Sequence, residues 1–476
     1  LAFIIIKVMS QSLDGKVKGA FVNSQFQRFE HPLSGRYASP SMQTIFSDFY
    51  KAVAWRKIWV ILADEQRRLG LPISKAQVQQ MEKGLEKVKL ERVAHWESKL
   101  KHDVMAHLKA FAEVAPKAEP ILHLGATSAF VTDNAEALIL RSATELLQSK
   151  LLVILKALGQ LSLKYSDLEM TGYTHFQPAQ PVTLGKRLAL WAQDLLWDYE
   201  ELSLVLQRYR PLGCKGTTGT QASFMVLFDN DFKKVTALDR AVVAKMGFKG
   251  PVGLSGQTLS RKMDVWFVHA LANLAASISK MSYDLRLLQH LGELKEPFGS
   301  DQVGSSAMPY KQNPMMAERM TGLSRHIMTL SQNAIWTHSV QWLERSLDDS
   351  ANRRLTLPEA FLTADALLET LHRLVKGMRV EERNVRNHLD KHRAAFETEA
   401  LMMEETLKGR SRQEMHEEIR KQMLQGSIKA QGSRWKLSGA SAQQVRAFCK
   451  SSLTPVLNRE WRRLKPSEDL FGSPSV

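Results

Sequence analysis

Cysteine is nearly missing from this chain: Cys214 and Cys449 are the only two in 476 residues. So few exclude a disulfide-stapled scaffold and fit a reducing compartment, so a cytoplasmic location is expected. Runs of alternating Val, Ile and Thr bounded by turn residues are also scarce, which argues against a sheet-based architecture. No apolar run reaches the roughly 18–20 residues that a membrane span needs. Residues 1–6 are apolar but stop at Lys7, with neither a basic leader nor a small-residue cleavage site. They read as a poor signal peptide and are expected to extend outside the fold. No Gly-x-Gly-x-x-Gly, phosphate loop or His/Cys/carboxylate cluster at metal-ligand spacing is present, so no nucleotide-cofactor or metal site is expected. Acidic residues are outnumbered: 49 Asp plus Glu against 65 Lys plus Arg, a net charge of +16. Such an excess suits nucleic acid, a membrane surface or a small anionic substrate. Nucleic-acid binding requires basic and aromatic residues clustered on one face, and only a loose basic tail is found. Neither nucleic acid nor membrane is expected as a partner.

What is abundant is helical periodicity. Phe267, Leu271, Leu274, Ile278, Met281, Leu285 and Leu288 recur at alternating steps of four and three, with no Gly or Pro from Leu259 to Leu291. That spacing keeps one helix face apolar. Leu140 to Tyr165, Leu184 to Tyr209 and Leu357 to Val375 carry the same pattern, with Asp198 a polar exception. Stretches such as Leu151 to Leu155 are apolar on more than one face, as in helices buried between neighbours. The expectation is an all-α protein with a central bundle of long helices flanked by two smaller helical domains. The boundaries fall at 1–126, 127–379 and 380–476.

Three polar, non-helical stretches interrupt this pattern, and loops on a rigid scaffold commonly carry chemistry. They are His123-Leu124-Gly125-Ala126-Thr127-Ser128, the segment from Thr171 to Pro181, and residues 299–314. In the third, Gly299 and Gly304 give freedom while Pro309 and Pro314 prevent helix, which suits a lid closing over an anion. Its Gly304-Ser305-Ser306-Ala307-Met308-Pro309-Tyr310-Lys311-Gln312-Asn313-Pro314 resembles the signature loop of the fumarase/aspartase superfamily. Within that superfamily, Thr174-His175-Phe176-Gln177-Pro178-Ala179-Gln180, residues 215–224 and residues 341–354 resemble the adenylosuccinate lyases, animal-type above all.

The resemblance implies β-elimination of fumarate from succinylated nucleotides, with no cofactor and no metal. It implies His175 as general acid, and histidine titrates near working pH. It implies Ser305 as general base, whose alkoxide needs a nearby cation such as Lys311 and backbone N–H donors. The residues themselves leave Ser306 open as the alternative. The remaining implied contacts to substrate are Arg36, Tyr37, Lys101, His102, Asp103, Thr127, Ser128, Thr174, Gln257, Asn313, Arg319, Arg345, Ser350 and Arg354. Lys101 replaces an arginine of close relatives, keeping the charge but losing the bidentate fork. The family is a homotetramer with each active site built from three subunits, which accounts for positions scattered over most of the chain. Toward the C-terminus, a piece before Ala440 reads as shortened by about thirty residues, with the basic tail after it. Argininosuccinate lyase and a non-catalytic paralogue are the alternatives. The phosphate-type arginines disfavour the first, and intact His175 and Ser305 the second.

Overall fold

The computed structural model describes residues 29–472 apart from 431 and 433. The apolar opening and part of the shortened C-terminal piece therefore lie outside the described residues. The N-terminal helices among the described residues are α1 (Pro40–Ile45), α2 (Asp48–Arg68), α3 (Lys75–Lys83), α4 (Leu90–Leu100) and α5 (Asp103–Val114). Ser39, Ser47 and Ser74 each cap a helix by accepting a backbone N–H of its first turn, a contact worth about 1 kcal/mol.

The centre is built from α6 (Ser128–Lys164), α7 (Leu184–Arg208), α8 (Ala222–Leu227), α9 (Phe232–Lys245), α10 (Lys262–His290), α11 (Met315–Ser339) and α12 (Asp348–Gly377). The five long members close a ring in the order α6–α7–α10–α11–α12 and back to α6. The stripe from Phe267 to Leu288 is buried inside it, so the all-α bundle is what the periodicity predicts. Among the described residues, helix α6 alone is long and apolar enough to cross a membrane, yet its most apolar window is 67% buried in the fold. Its length serves the core.

Two small sheets depart from the expected absence of strands. β1 (Glu169–Thr174) and β2 (Gln177–Thr183) form an antiparallel hairpin, and β3 (Leu294–Lys295) pairs with β4 (Arg379–Val380). The hairpin escapes sequence patterning because two prolines, Pro178 and Pro181, lie in β2 and the turn lacks Gly or Asn. His175 and Phe176 instead both take positive φ, 52° and 56°, a conformation costly for residues with a Cβ. At Gly172, where the register shifts, a Cβ would lie 2.4 Å from the carbonyl oxygen of Gln180.

After β4 come α13 (Glu382–Leu407), α14 (Arg412–Leu424), α15 (Ser441–Phe448) and α16 (Thr454–Leu464). The expected basic tail is a packed amphipathic helix. Val456 of α16 joins the main core, and Glu460 accepts the Tyr199 hydroxyl at 2.9 Å while pairing Arg459 and Arg463. Its arginines look like a solvated run in sequence because the apolar face beneath them is narrow.

Asp198, the polar exception on α7, is buried, and one carboxylate oxygen has no hydrogen-bond partner. Burial pushes its pKa up to about 7. The folded state therefore holds a proton that the unfolded chain releases near pH 4. Stability should fall as pH rises from about 4 to about 7, by up to about 4 kcal/mol. Asp198→Asn should match the parent below about pH 4 and become the more stable protein by pH 8. Urea melts at both pH values check this, and equal midpoints at pH 8 would contradict it.

Candidate active site

A cavity of about 750 Å³ opens between the N-terminal helices and the bundle. Its lining includes Lys101, His102, Asp103, Ser128, Gln257, Arg345, Ser350 and Arg354, eight of the residues singled out above. Local structure explains their placement. Lys101 ends α4 in the left-handed conformation, φ 52°. His102 then caps α5, its Nδ1 accepting the Met105 N–H at 3.3 Å. This sharp corner turns three consecutive polar residues into the cavity. Asp103 opens α5 and accepts Arg354 Nη2 at 2.6 Å. Ser128 is the first residue of α6, so the N–H end of that helix faces the same space, where anions are favoured. Gln257 is held by its backbone N–H to Glu344 O and by its Nε2 to Thr217 O, both at 2.9 Å.

Beneath the cavity runs an ion network that sequence reasoning missed. Arg261 reaches Asp349 Oδ2 at 2.5 Å and Asp133 Oδ2 at 3.1 Å. Arg353 reaches Asp264 Oδ2 at 2.7 Å and Glu136 Oε2 at 2.5 Å. Burial would raise the Asp133 carboxyl, but Arg261 and Arg353 hold it below the usual range. The network ties α6, α10 and the start of α12 together, which fixes Ser350 and Arg354 relative to Ser128. Two acids one turn apart in the apolar first part of α6, Asp133 and Glu136, are the sequence signal that points to it.

The other predicted residues lie outside this lining. Thr127 caps α6 without a side-chain bond, one position before the lining Ser128. Thr174 and His175 are exposed at the tip of the β1–β2 hairpin. Arg187 holds the base of that hairpin through Thr171 O at 3.2 Å, and Gln180 is bonded to Glu399 of α13. Residues 299–314 form an irregular loop, as expected. Asn313 Nδ2 closes it on Gly304 O at 2.9 Å, and a Cβ at Gly304 would meet Lys311 O at 2.1 Å. Ser305 Oγ accepts two backbone N–H groups, from Ala307 at 3.3 Å and Met308 at 3.1 Å; Ser306 has no such cradle among the contacts described. Lys311 is exposed on the same loop. Buried Glu296 caps the following helix by accepting the N–H groups of Met316 and Ala317 at 2.9 and 2.7 Å. Arg319, one turn into α11, lies 5.7 Å over the Tyr37 ring, with Arg36 beside it in sequence. Within one chain, His175 at the hairpin tip and Ser305 on the loop are thus absent from the cavity lining, as is the Arg319–Tyr37 pair.

His123, in the first polar stretch, takes a hydrogen bond from Trp59 Nε1 at 2.9 Å. Burial, with His102 nearby, pushes it down to about 4, so it is neutral and structural.

A sequence profile of the lyase family matches residues 37–329. The chain is 44% identical over 398 residues to "Adenylosuccinate lyase" of Saccharomyces cerevisiae, covering 83% of each chain. It is 42% identical over 399 residues to the enzyme of the same name from Schistosoma mansoni, again 83% of each. The fold is similar to the 3-carboxy-cis,cis-muconate lactonizing enzyme of Pseudomonas putida, with a TM-score of 0.72 over 91% of this chain and 98% of that one, at 24% identity.

Proposed function

Because the chain belongs to the adenylosuccinate lyases, within the fumarase/aspartase superfamily, we propose that it releases fumarate from two succinylated nucleotides of purine biosynthesis. Adenylosuccinate would give AMP, and the succinyl-aminoimidazole-carboxamide ribonucleotide would give the aminoimidazole carboxamide ribonucleotide. The observation that carries this reading is the convergence of Lys101, His102, Ser128, Gln257, Arg345, Ser350 and Arg354 on one cavity. Its cations and helix N-terminus suit a ligand with two carboxylates and a phosphate.

In the reaction, Ser305 removes a proton from the succinyl carbon next to a carboxylate. The electron pair left behind forms the carbon–carbon double bond of fumarate as the carbon–nitrogen bond breaks. His175 protonates the departing nitrogen. Ser305 is favoured over Ser306 by the two N–H groups aimed at its Oγ, donors that stabilise an alkoxide once Lys311 closes in. No metal or cofactor takes part in this scheme.

The proposed assembly is a homotetramer in which hairpin, loop and cavity come from different chains. Two things support it. His175 and Ser305 lie outside the cavity lining of their own chain. Long helices of the bundle also leave apolar residues uncovered: Leu190, Trp197 and Leu204, seven apart on α7, and Trp336 on α11, 68% exposed. Large apolar side chains left exposed along one helix face suit burial against another chain. Two free, buried cysteines fit a cytoplasmic setting.

The test is fumarate release by the purified chain, followed by ultraviolet absorbance, with each succinylated nucleotide and with argininosuccinate. Release from both nucleotides is expected. Release from argininosuccinate alone, or from none, would overturn the reading. On the same assay, Arg345→Ala and Arg354→Ala should raise the apparent KM at least about tenfold with a smaller change in kcat. Substrate capture should weaken as salt rises. A fall in kcat at unchanged KM would remove these arginines from phosphate binding.

A further inference from the structure

Lys150 sits in the middle of α6 with a fully buried side chain, among Leu147, Leu151 and Ile154. All three of its ammonium protons are used. Nζ donates to Asp365 Oδ1 at 2.5 Å, Glu369 Oε1 at 2.6 Å and Ser39 Oγ at 3.0 Å. The other oxygen of Asp365 accepts the Ser39 N–H at 2.6 Å. Ser39 is thus gripped at both backbone and side chain, and it stands two residues after Tyr37. The other oxygen of Glu369 accepts the N–H of Gly472 at 3.2 Å. That residue belongs to a segment laid back over the cluster. Phe471 stacks on His372 with ring centres 3.7 Å apart, and its ring lies 5.5 Å from Lys150 Nζ. Glu468 Oε2 bridges His372 at 2.8 Å and Lys376 at 2.9 Å.

A buried ion cluster is a poor source of stability, since apolar residues of similar volume commonly serve as well or better. Its distinctive property is geometric: short charged bonds hold one backbone point in one place. Here that point is Ser39, which also caps α1 through the Met42 N–H at 3.3 Å. The chain running into it carries Arg36 and Tyr37, and Tyr37 faces Arg319.

We propose that Lys150, Asp365 and Glu369 act as positioning residues that set Arg36 and Tyr37 for the nucleotide, and that residues 468–472 form a clasp sealing this cluster from water. The proposal rests on the proposed lyase function and on the substrate contact that the resemblance implies for Arg36 and Tyr37, taken here as a contact to the nucleotide part. The cluster touches neither substrate nor reacting atoms in this scheme. Its loss should therefore appear in KM, through misplacement of Arg36 and Tyr37, and hardly in kcat. Ser39 meets Lys150 directly and through Asp365, and the clasp meets it through Glu369 and the Phe471 ring, so their effects should be coupled.

Because Lys150→Met leaves two buried carboxylates unpaired and is prone to misfolding, the test uses milder variants at the two ends of the network. Phe471→Ala and Ser39→Ala should each raise the apparent KM for adenylosuccinate about three- to tenfold with kcat within about twofold, the pattern of lost uniform binding. Combined, they should raise KM little more than the larger single change, since residues in one network are not additive. Tyr37→Ala is the control for the underlying assignment. If Tyr37→Ala raises KM while neither end variant does, the positioning claim is wrong and the nucleotide contact stands. If the end variants multiply freely, or lower kcat at unchanged KM, the clasp and Ser39 are independent structural features and the proposal is overturned. If Tyr37→Ala leaves KM unchanged, the assignment of that contact is wrong and the proposal falls with it.

Discussion

Alanine at His175, or at Ser305, is expected to cut turnover at least about a hundredfold, the scale of a lost general acid or base. The fold should survive both changes. His175 is exposed at a hairpin tip, and the hairpin is anchored elsewhere, by the ladder from Glu169 to Thr183 and by Arg187. Ser305 lies on a loop closed independently by the Asn313 to Gly304 bond. Helix content and elution volume should match those of the parent, and a single-turnover assay should show slow chemistry. Near-normal turnover by either variant would remove that residue from the reaction. The neighbouring Ser306→Ala should be much milder, because the two N–H donors converge on Ser305 Oγ.

The second large effect is on stability and separates two adjacent arginines. Arg353 has a side chain only 13% exposed and pairs Glu136 and Asp264. Arg353→Ala leaves both carboxylates without their partner, and removing one member of a buried pair typically costs about 3–5 kcal/mol. Arg354 is 63% exposed and pairs Asp103 at the surface, a contact worth about 1 kcal/mol or less. Arg353→Ala should thus shift the denaturant midpoint strongly, whereas Arg354→Ala should leave it nearly unchanged and act on KM. Equal midpoints for the two variants would mean that the ion network does not hold the cavity floor.

These two arginines also show how far the sequence could be read. A four-and-three apolar spacing needs no tertiary information, so α6, α7, α10 and α12 were all visible, including the start of α7 after Pro181. Positions carried by the motif loops were visible too, since Gly304 and Asn313 are constrained by local closure of the loop. Burial of charge was not. Arg353 and Arg354 differ only in which face of α12 they occupy, and Lys150 differs from a surface lysine only by what Asp365 and Glu369 place opposite it, more than two hundred residues away. The hairpin was missed for the opposite reason. Its turn is built from His175 and Phe176 in conformations that sequence rules reserve for Gly and Asn. That local rule fails at the residue assigned to the chemistry, and strained backbone tends to collect at such positions. Sequence patterning reads α16 as a tail because its stabilising contact, Tyr199 to Glu460, joins residues 261 apart.

A site divided among chains is the central claim, and subunit mixing tests it most directly. His175→Ala and Ser305→Ala proteins, each inactive alone, are combined under conditions that exchange subunits, and fumarate release is measured after exchange has been verified by mass. If hairpin and loop reach one cavity from different chains, some mixed sites contain an intact His175 and an intact Ser305, and a substantial fraction of parental activity returns. If both residues act within one chain, every site carries one lesion or the other, and activity stays at the level of the separate variants.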